Sequence, residues 1–129
     1  MFYGYSSLIS VSDISQFDLS KYKDISCLFE NCSSLVSIPD ISDLDISYFE
    51  NISRIFTNCS SINSLPDISI WNTEKVKDMC SLFYGCSNIL VMPDIYKWNT
   101  KNVKNMNNLF YACSSLKSLP DISTWNTSN

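Results

Sequence analysis

Apolar side chains return along this chain at fixed intervals. Between Asn72 and Tyr84, Val76, Met79, Leu82 and Phe83 fall at i, i+3, i+6 and i+7, the spacing of one face of a helix about three turns long. A second apolar set, seen at Leu35, Ile38 and Ile41, is too short for a helix. It predicts a short strand around residues 36–38, followed by a turn or bulge at Pro39 and Asp40, because proline has no amide to give to a ladder. The spacing of three leaves the register of that strand open by one residue. Polar positions punctuate the pattern. Asp18, Asp45, Asn72, Asn99 and Asn126, followed by threonine at 73, 100 and 127, stand where a helix start needs a cap, worth about 1 kcal/mol. Gly4, Asn31, Asn58, Gly85 and Ala112 stand where each helix should stop, and all but Ala112 tolerate the left-handed conformation of a helix end.

Both halves of this pattern recur every 27 residues. Pro39, Pro66, Pro93 and Pro120 keep that step, as do Cys32, Cys59, Cys86 and Cys113. So do Phe2, Phe29, Phe56, Phe83 and Phe110, and Asp13, Asp40, Asp67, Asp94 and Asp121. No insertion or deletion breaks the register, so the 129 residues are five units lacking only six residues, and residues 1–129 form one domain. The predicted fold class is α/β: five strand–helix units with one parallel sheet about 24 Å wide and a helical outer face. The last unit stops mid-repeat at Asn129. The expectation is either a segment of a longer array or an open end that docks on another protomer.

Composition narrows the function. Apolar residues are 45% and charged residues 17%, which suits a buried core rather than a disordered chain. A net charge of −4 argues against nucleic acid and anionic membrane as partners, since both need a basic face. With no histidine there is no imidazole base, metal ligand or pH switch. Two glycines cannot build a phosphate-cradling loop, and no apolar run reaches the roughly 20 residues of a membrane span. Residues 1–30 carry no signal-peptide pattern.

Written from its cysteine, the unit reads C-S-S-L-x-S-L-P-D-I-S-x-W-N-T-x-x-V-x-x-M-x-x-L-F-x-x. The C-S-S-L-x-S-L-P-D-I-S part, with an upstream L-F-x-x-C, resembles the leucine-rich repeats of BspA-like surface proteins. The W-N-T-x-x-V-x-x-M-x-x-L-F part is similar to related repeats of microbial surface lipoproteins. The likeness runs over the whole chain. It implies a leucine-rich-repeat solenoid on a cell surface or secreted, binding other macromolecules, often as an adhesin. Tyr5 in place of the first cysteine, Ser12 in place of the first proline, and Phe17 and Leu44 in place of tryptophan mark the first two units as the divergent pair.

Each column has a structural and a functional reading. The cysteines read as small buried hydrophobes, with no C-x-x-C or histidine to suggest zinc. Cys27 and Cys80 belong to different columns two units apart and are not expected to pair. Trp71, Trp98 and Trp125, equivalent to Phe17 and Leu44, read as core rather than a sugar platform, and Met79 and Met106, alternating with Ile25 and Ile52, as packing. The aspartates Asp13, Asp40, Asp67, Asp94 and Asp121 are expected to cap their own turns, with calcium bridging and partner contact as alternatives. Four glycosylation sequons, at Asn31, Asn51, Asn58 and Asn126, occur at about the frequency chance gives.

The positions that differ from unit to unit carry the remaining information. They are Ile9, Val36, Asn63, Leu90 and Lys117, then Gln16, Asp43, Ile70, Lys97 and Thr124, and Tyr96, whose equivalents are all serine. On the strand face these set specificity, and Val36, Asn63, Ile70, Leu90, Tyr96, Lys97 and Lys117 are the candidate partner-binding residues. The expected function is non-catalytic protein recognition of a surface or adhesion type, with no cofactor. One alternative is a structural array that stacks end to end into oligomers or filaments. A weaker one is calcium-dependent binding through the aspartates.

Overall fold

In the computed structural model, which describes residues 1–11, 14, 19, 21–38, 40, 41 and 44–128, successive 27-residue units lie on one another as stacked coils. The destinations of the backbone amides establish this. Met79, Ser81, Phe83 and Gly85 donate to the carbonyls of Asn105, Asn107, Leu109 and Tyr111 in the next coil, at 2.8–3.1 Å. Phe56 to Leu82, Phe29 to Ile55 and Phe2 to Leu28 repeat the same bond down the stack. Lys77 and Lys104 donate the other way, to Glu50 and Lys77 of the preceding coil. Amides at the corners close turns onto the carbonyl three residues back: Val76 onto Thr73, Leu82 onto Met79, Tyr84 onto Ser81 and Cys86 onto Phe83.

These bonds leave no amides for a helix, which would send each one four residues back along its own chain. Among the described residues there is no helix. Strand geometry is limited to isolated parallel bridges, Ser10 with Ser37 and the series Asp24, Asn51, Asp78, Asn105. The expected α/β leucine-rich-repeat solenoid is therefore corrected. Among the described residues there is no parallel sheet, no strand at 36–38 beyond the bridge at Ser37, and no helical outer face.

The spacing of apolar residues misleads for a definite reason. A turn closed between i and i+3 brings both residues to one side of the chain, so consecutive turns place an apolar side chain inward at every third position. One face of a helix does nearly the same over two or three turns. Val76, Met79 and Leu82 are buried by the first mechanism. Trp71, Trp98 and Trp125 close turns onto Ile68, Ile95 and Ile122 in the same manner.

Backbone conformation completes the case. Gly4, Asn31, Asn58, Gly85 and Ala112 are all left-handed, with φ between 57° and 75°, so this column is as expected in conformation but links one turn to the next instead of ending a helix. A second left-handed column, Cys27, Arg54, Ser81 and Asn108 at φ 53–59°, lies where the helix was expected to run and would by itself break it. The supposed helix caps are Asx turns: Asp45, Asn72, Asn99 and Asn126 each accept the amide two residues on, from Ser47, Glu74, Lys101 and Ser128. Asp18 and the Pro39 of the expected Pro-Asp turn lie outside the described residues.

The core runs up the middle of the stack. The rings of Phe2, Phe29, Phe56, Phe83 and Phe110 stack nearly parallel at 5.4–6.1 Å, and Trp71, Trp98 and Trp125 at 6.0 and 6.1 Å. No helix among the described residues is long and apolar enough to cross a membrane.

Candidate functional site

Several columns are committed to the scaffold. The thiols of Cys32, Cys59, Cys86 and Cys113 are free and donate to the carbonyls of Phe2, Phe29, Phe56 and Phe83 in the preceding coil, at 3.0–3.1 Å. Burial pushes the Cys59 thiol up to about 12, and that of Cys86 further in the same direction. The indole Nε1 of Trp71, Trp98 and Trp125 donates to Ile41, Ile68 and Ile95 at 2.9–3.2 Å. Both columns are core, as their periodicity suggests, yet each side chain also ties one coil to the one before. That second role depends on which carbonyl lies 30 residues back and above, which periodicity alone does not reveal.

The aspartate column is turned onto its own backbone. Asp67 and Asp121 accept the amides of Ser69 and Ser123 at 2.9 Å. The hydroxyl and amide of Ser69 hold the Asp67 carboxyl below the usual range, and the amide and hydroxyl of Ser123 do so for Asp121. Asp94 accepts the amide of Tyr96 at 3.3 Å. Asp40 is exposed, and Asp13 lies outside the described residues. Among the described residues no group of three or more cysteine, aspartate or glutamate side chains is placed to hold a metal ion.

A further polar column escaped the sequence reading. Asp24, Asn51, Asp78 and Asn105 cap the amides of Ser26, Ser53, Cys80 and Asn107. The Asn51 and Asn105 amides also donate to the carboxylates of Asp24 and Asp78 in the coil before, at 3.0 and 3.4 Å. The alternation of acid and amide at a 27-residue step is the signal that could have found it. The edge occupied by Lys23, Glu50, Lys77 and Lys104 is partly neutralised within itself. Lys77 bonds Glu50 at 2.7 Å, and that hydrogen bond and charge hold the Glu50 carboxyl low.

The variable positions are what the scaffold leaves exposed. Val36 donates its amide to Ile9, and Lys117 to Leu90, which sets these residues side by side in successive coils. Ile9, Val36, Asn63, Leu90 and Lys117 are all exposed and share one column. Ile70 and Lys97 are exposed in a second column, where Gln16 and Asp43 lie outside the described residues. Tyr96 stands beside Lys97, whose ammonium lies 5.5 Å from its ring centroid, and the Thr124 hydroxyl donates to the Tyr96 carbonyl. Val91 belongs with this set and was missed. It is 67% exposed, while its equivalents are Ser10, Ser37, Ser64 and Ser118, the same kind of departure that draws attention to Tyr96. What these columns expose is apolar area, a ring and two ammonium groups.

Comparison with curated proteins and with solved structures gave no match. A family model does match, over residues 1–92 and again over 64–129, so that the whole chain is covered; its description is Mycoplasma protein of unknown function, DUF285. The chain belongs to the DUF285 family.

Proposed function

We propose that the chain is a non-catalytic protein-recognition module whose binding surface is the set of exposed variable columns, centred on Leu90, Tyr96 and Ile70 and flanked by Val36, Asn63, Lys97 and Lys117. The observation that carries this is a division of labour between columns. Repeating residues such as Phe56, Cys59, Trp71 and Val76 are buried and the aspartates Asp67, Asp94 and Asp121 are tied into turns, whereas the variable residues Val36, Ile70, Leu90 and Tyr96 hold 38–64% of their surface in water. Exposed apolar and aromatic groups beside lysines are the composition of a protein-binding surface. The likeness of the repeat to surface-protein repeats adds to the reading and points to a cell-surface or secreted setting.

Leu90→Ser and Tyr96→Ser test it. Proteins captured by the native chain are purified and their affinities measured against both variants. A partner that loses about tenfold or more on either substitution, with the melting temperature unchanged, supports the reading. Equal affinity of every purified partner for native and variant chains overturns it.

A further inference from the structure

The stretch 90–97 departs from the repeat in a way that changes its electrostatics. Val91 stands where four other units have serine, and Tyr96 where the sequence has Ser15, Ser42, Ser69 and Ser123. At Asp67 and Asp121 the serine two residues on supplies both its amide and its hydroxyl to the carboxylate. Asp45 with Ser47 repeats the arrangement in another column. Tyr96 has its hydroxyl at the far end of a ring, and its amide stands off at 3.3 Å where the serine amides approach to 2.9 Å. Asp94 therefore keeps acceptor capacity that Asp67 and Asp121 commit to their own turns.

The setting of that carboxylate favours one sign of partner. Asp94 is exposed in a row with Asp40, Asp67 and Asp121, all exposed, on a chain of net charge −4. Two cations stand near it: Lys97 lies over the Tyr96 ring and its charge acts on Asp67, and Lys117 lies beside Leu90 in the next coil. Leu90, Val91 and Tyr96 supply exposed apolar surface within the same seven residues. Acidic polymers and anionic lipid meet like charge along this row.

We infer that residues 90–96 dock a basic protein segment, with an arginine of the partner on the Asp94 carboxylate and apolar neighbours over Leu90, Val91 and Tyr96. Arginine fits better than lysine, because its planar fork meets a carboxylate with two bonds and stacks on an aromatic face. The inference rests on the protein-recognition reading and adds the chemistry of the partner.

Three synthetic peptides of one apolar sequence, carrying arginine, glutamine or glutamate at the same flanking positions, test it against the full chain at low and moderate salt. The arginine peptide should bind about tenfold or more tighter than the other two, and salt should weaken it. Asp94→Asn should remove most of that preference. Val91→Ser and Tyr96→Ser, which restore the residues of the other units, should weaken all three peptides without lowering the melting temperature. Equal binding of the arginine and glutamine peptides, an arginine preference untouched by Asp94→Asn, or no binding of any peptide to the native chain overturns the inference. If Tyr96→Ser and Val91→Ser still weaken the glutamine peptide, the recognition reading survives that failure. If neither variant weakens any peptide, both fall.

Discussion

The left-handed residues are the hinges on which each coil turns, and they are not equally suited to the task. Gly85 adopts φ +71° at no steric cost, while Ala112 holds φ +60° in the same column with a Cβ that disfavours it. A Cβ added at Gly85 would press on Oδ1 of Asn58, the residue whose amide bonds Asn31 in the coil before. Gly85→Ala should therefore lower stability by about 1–2 kcal/mol, and Ala112→Gly should raise it by up to about 1 kcal/mol, both read by thermal or urea unfolding. A second single-residue test concerns Glu30. It is 8% exposed, and its Oε2 has no hydrogen-bond partner, whereas Thr57 in the same column donates its hydroxyl to the Ser81 carbonyl. Glu30→Thr should let the hydroxyl reach the equivalent carbonyl of Arg54 and raise stability by about 1 kcal/mol, and a lower urea midpoint would refute that account.

At the level of elements, the scaffold is a set of turns whose outward bonds run to neighbouring coils. The ladder Asp24, Asn51, Asp78, Asn105 sets a charge only at every second rung, and the amides between donate to those carboxylates. Asn51→Asp puts three carboxylates in succession and deletes the bond to Asp24, while the cap on Ser53 can persist. The variant should lose about 1 kcal/mol at low salt and recover part of it at about 1 M salt, which screens exposed charges. A loss that is the same at both salt concentrations would mean packing, not charge, is at fault. How far these elements could be read from sequence follows from the same physics. Burial of the phenylalanine, cysteine, tryptophan and valine columns was legible, because a 27-residue period marks them whatever path the backbone takes. The path itself was not. An i, i+3 spacing serves turns and helices alike, and the left-handed column of Cys27, Arg54, Ser81 and Asn108 has only one residue type, asparagine, that favours that conformation. Exposure at Val36, Asn63, Ile70, Leu90, Tyr96, Lys97 and Lys117 was legible from their variability, although the sheet expected beneath them is absent.

For the whole molecule, titration sets the limits of stability. Asp45, Asp67 and Asp121 have lowered carboxyl pKa values in the folded chain, from hydrogen bonds with Ser47, Ser69 and Ser123. Their contribution is complete above the unfolded value of about 3.9 and is lost as pH falls through the lowered folded values. The cysteines behave in the opposite sense. Their folded values are raised by burial, so the contribution is complete below pH about 9 and is lost as pH rises toward about 12, the value for Cys59. No histidine lies between. Unfolding free energy should be nearly flat from pH about 5 to about 8 and fall on both sides, and a step near pH about 6.5 would contradict this assignment.

The direction of the thiol and indole bonds has a consequence for how the chain can change length. The thiols of Cys32, Cys59, Cys86 and Cys113 and the indoles of Trp71, Trp98 and Trp125 each reach back 30 residues, one coil and three positions, and meet a carbonyl of fixed identity, phenylalanine or isoleucine. A duplicated or deleted block of 27 residues brings its own donors and acceptors and leaves no seam. A block of any other size has to be thrown out as a surface loop or shift every column beyond it out of line. Growth and shrinkage of such a chain are thus quantised, and the size of the step is set by the core rather than by anything the surface recognises.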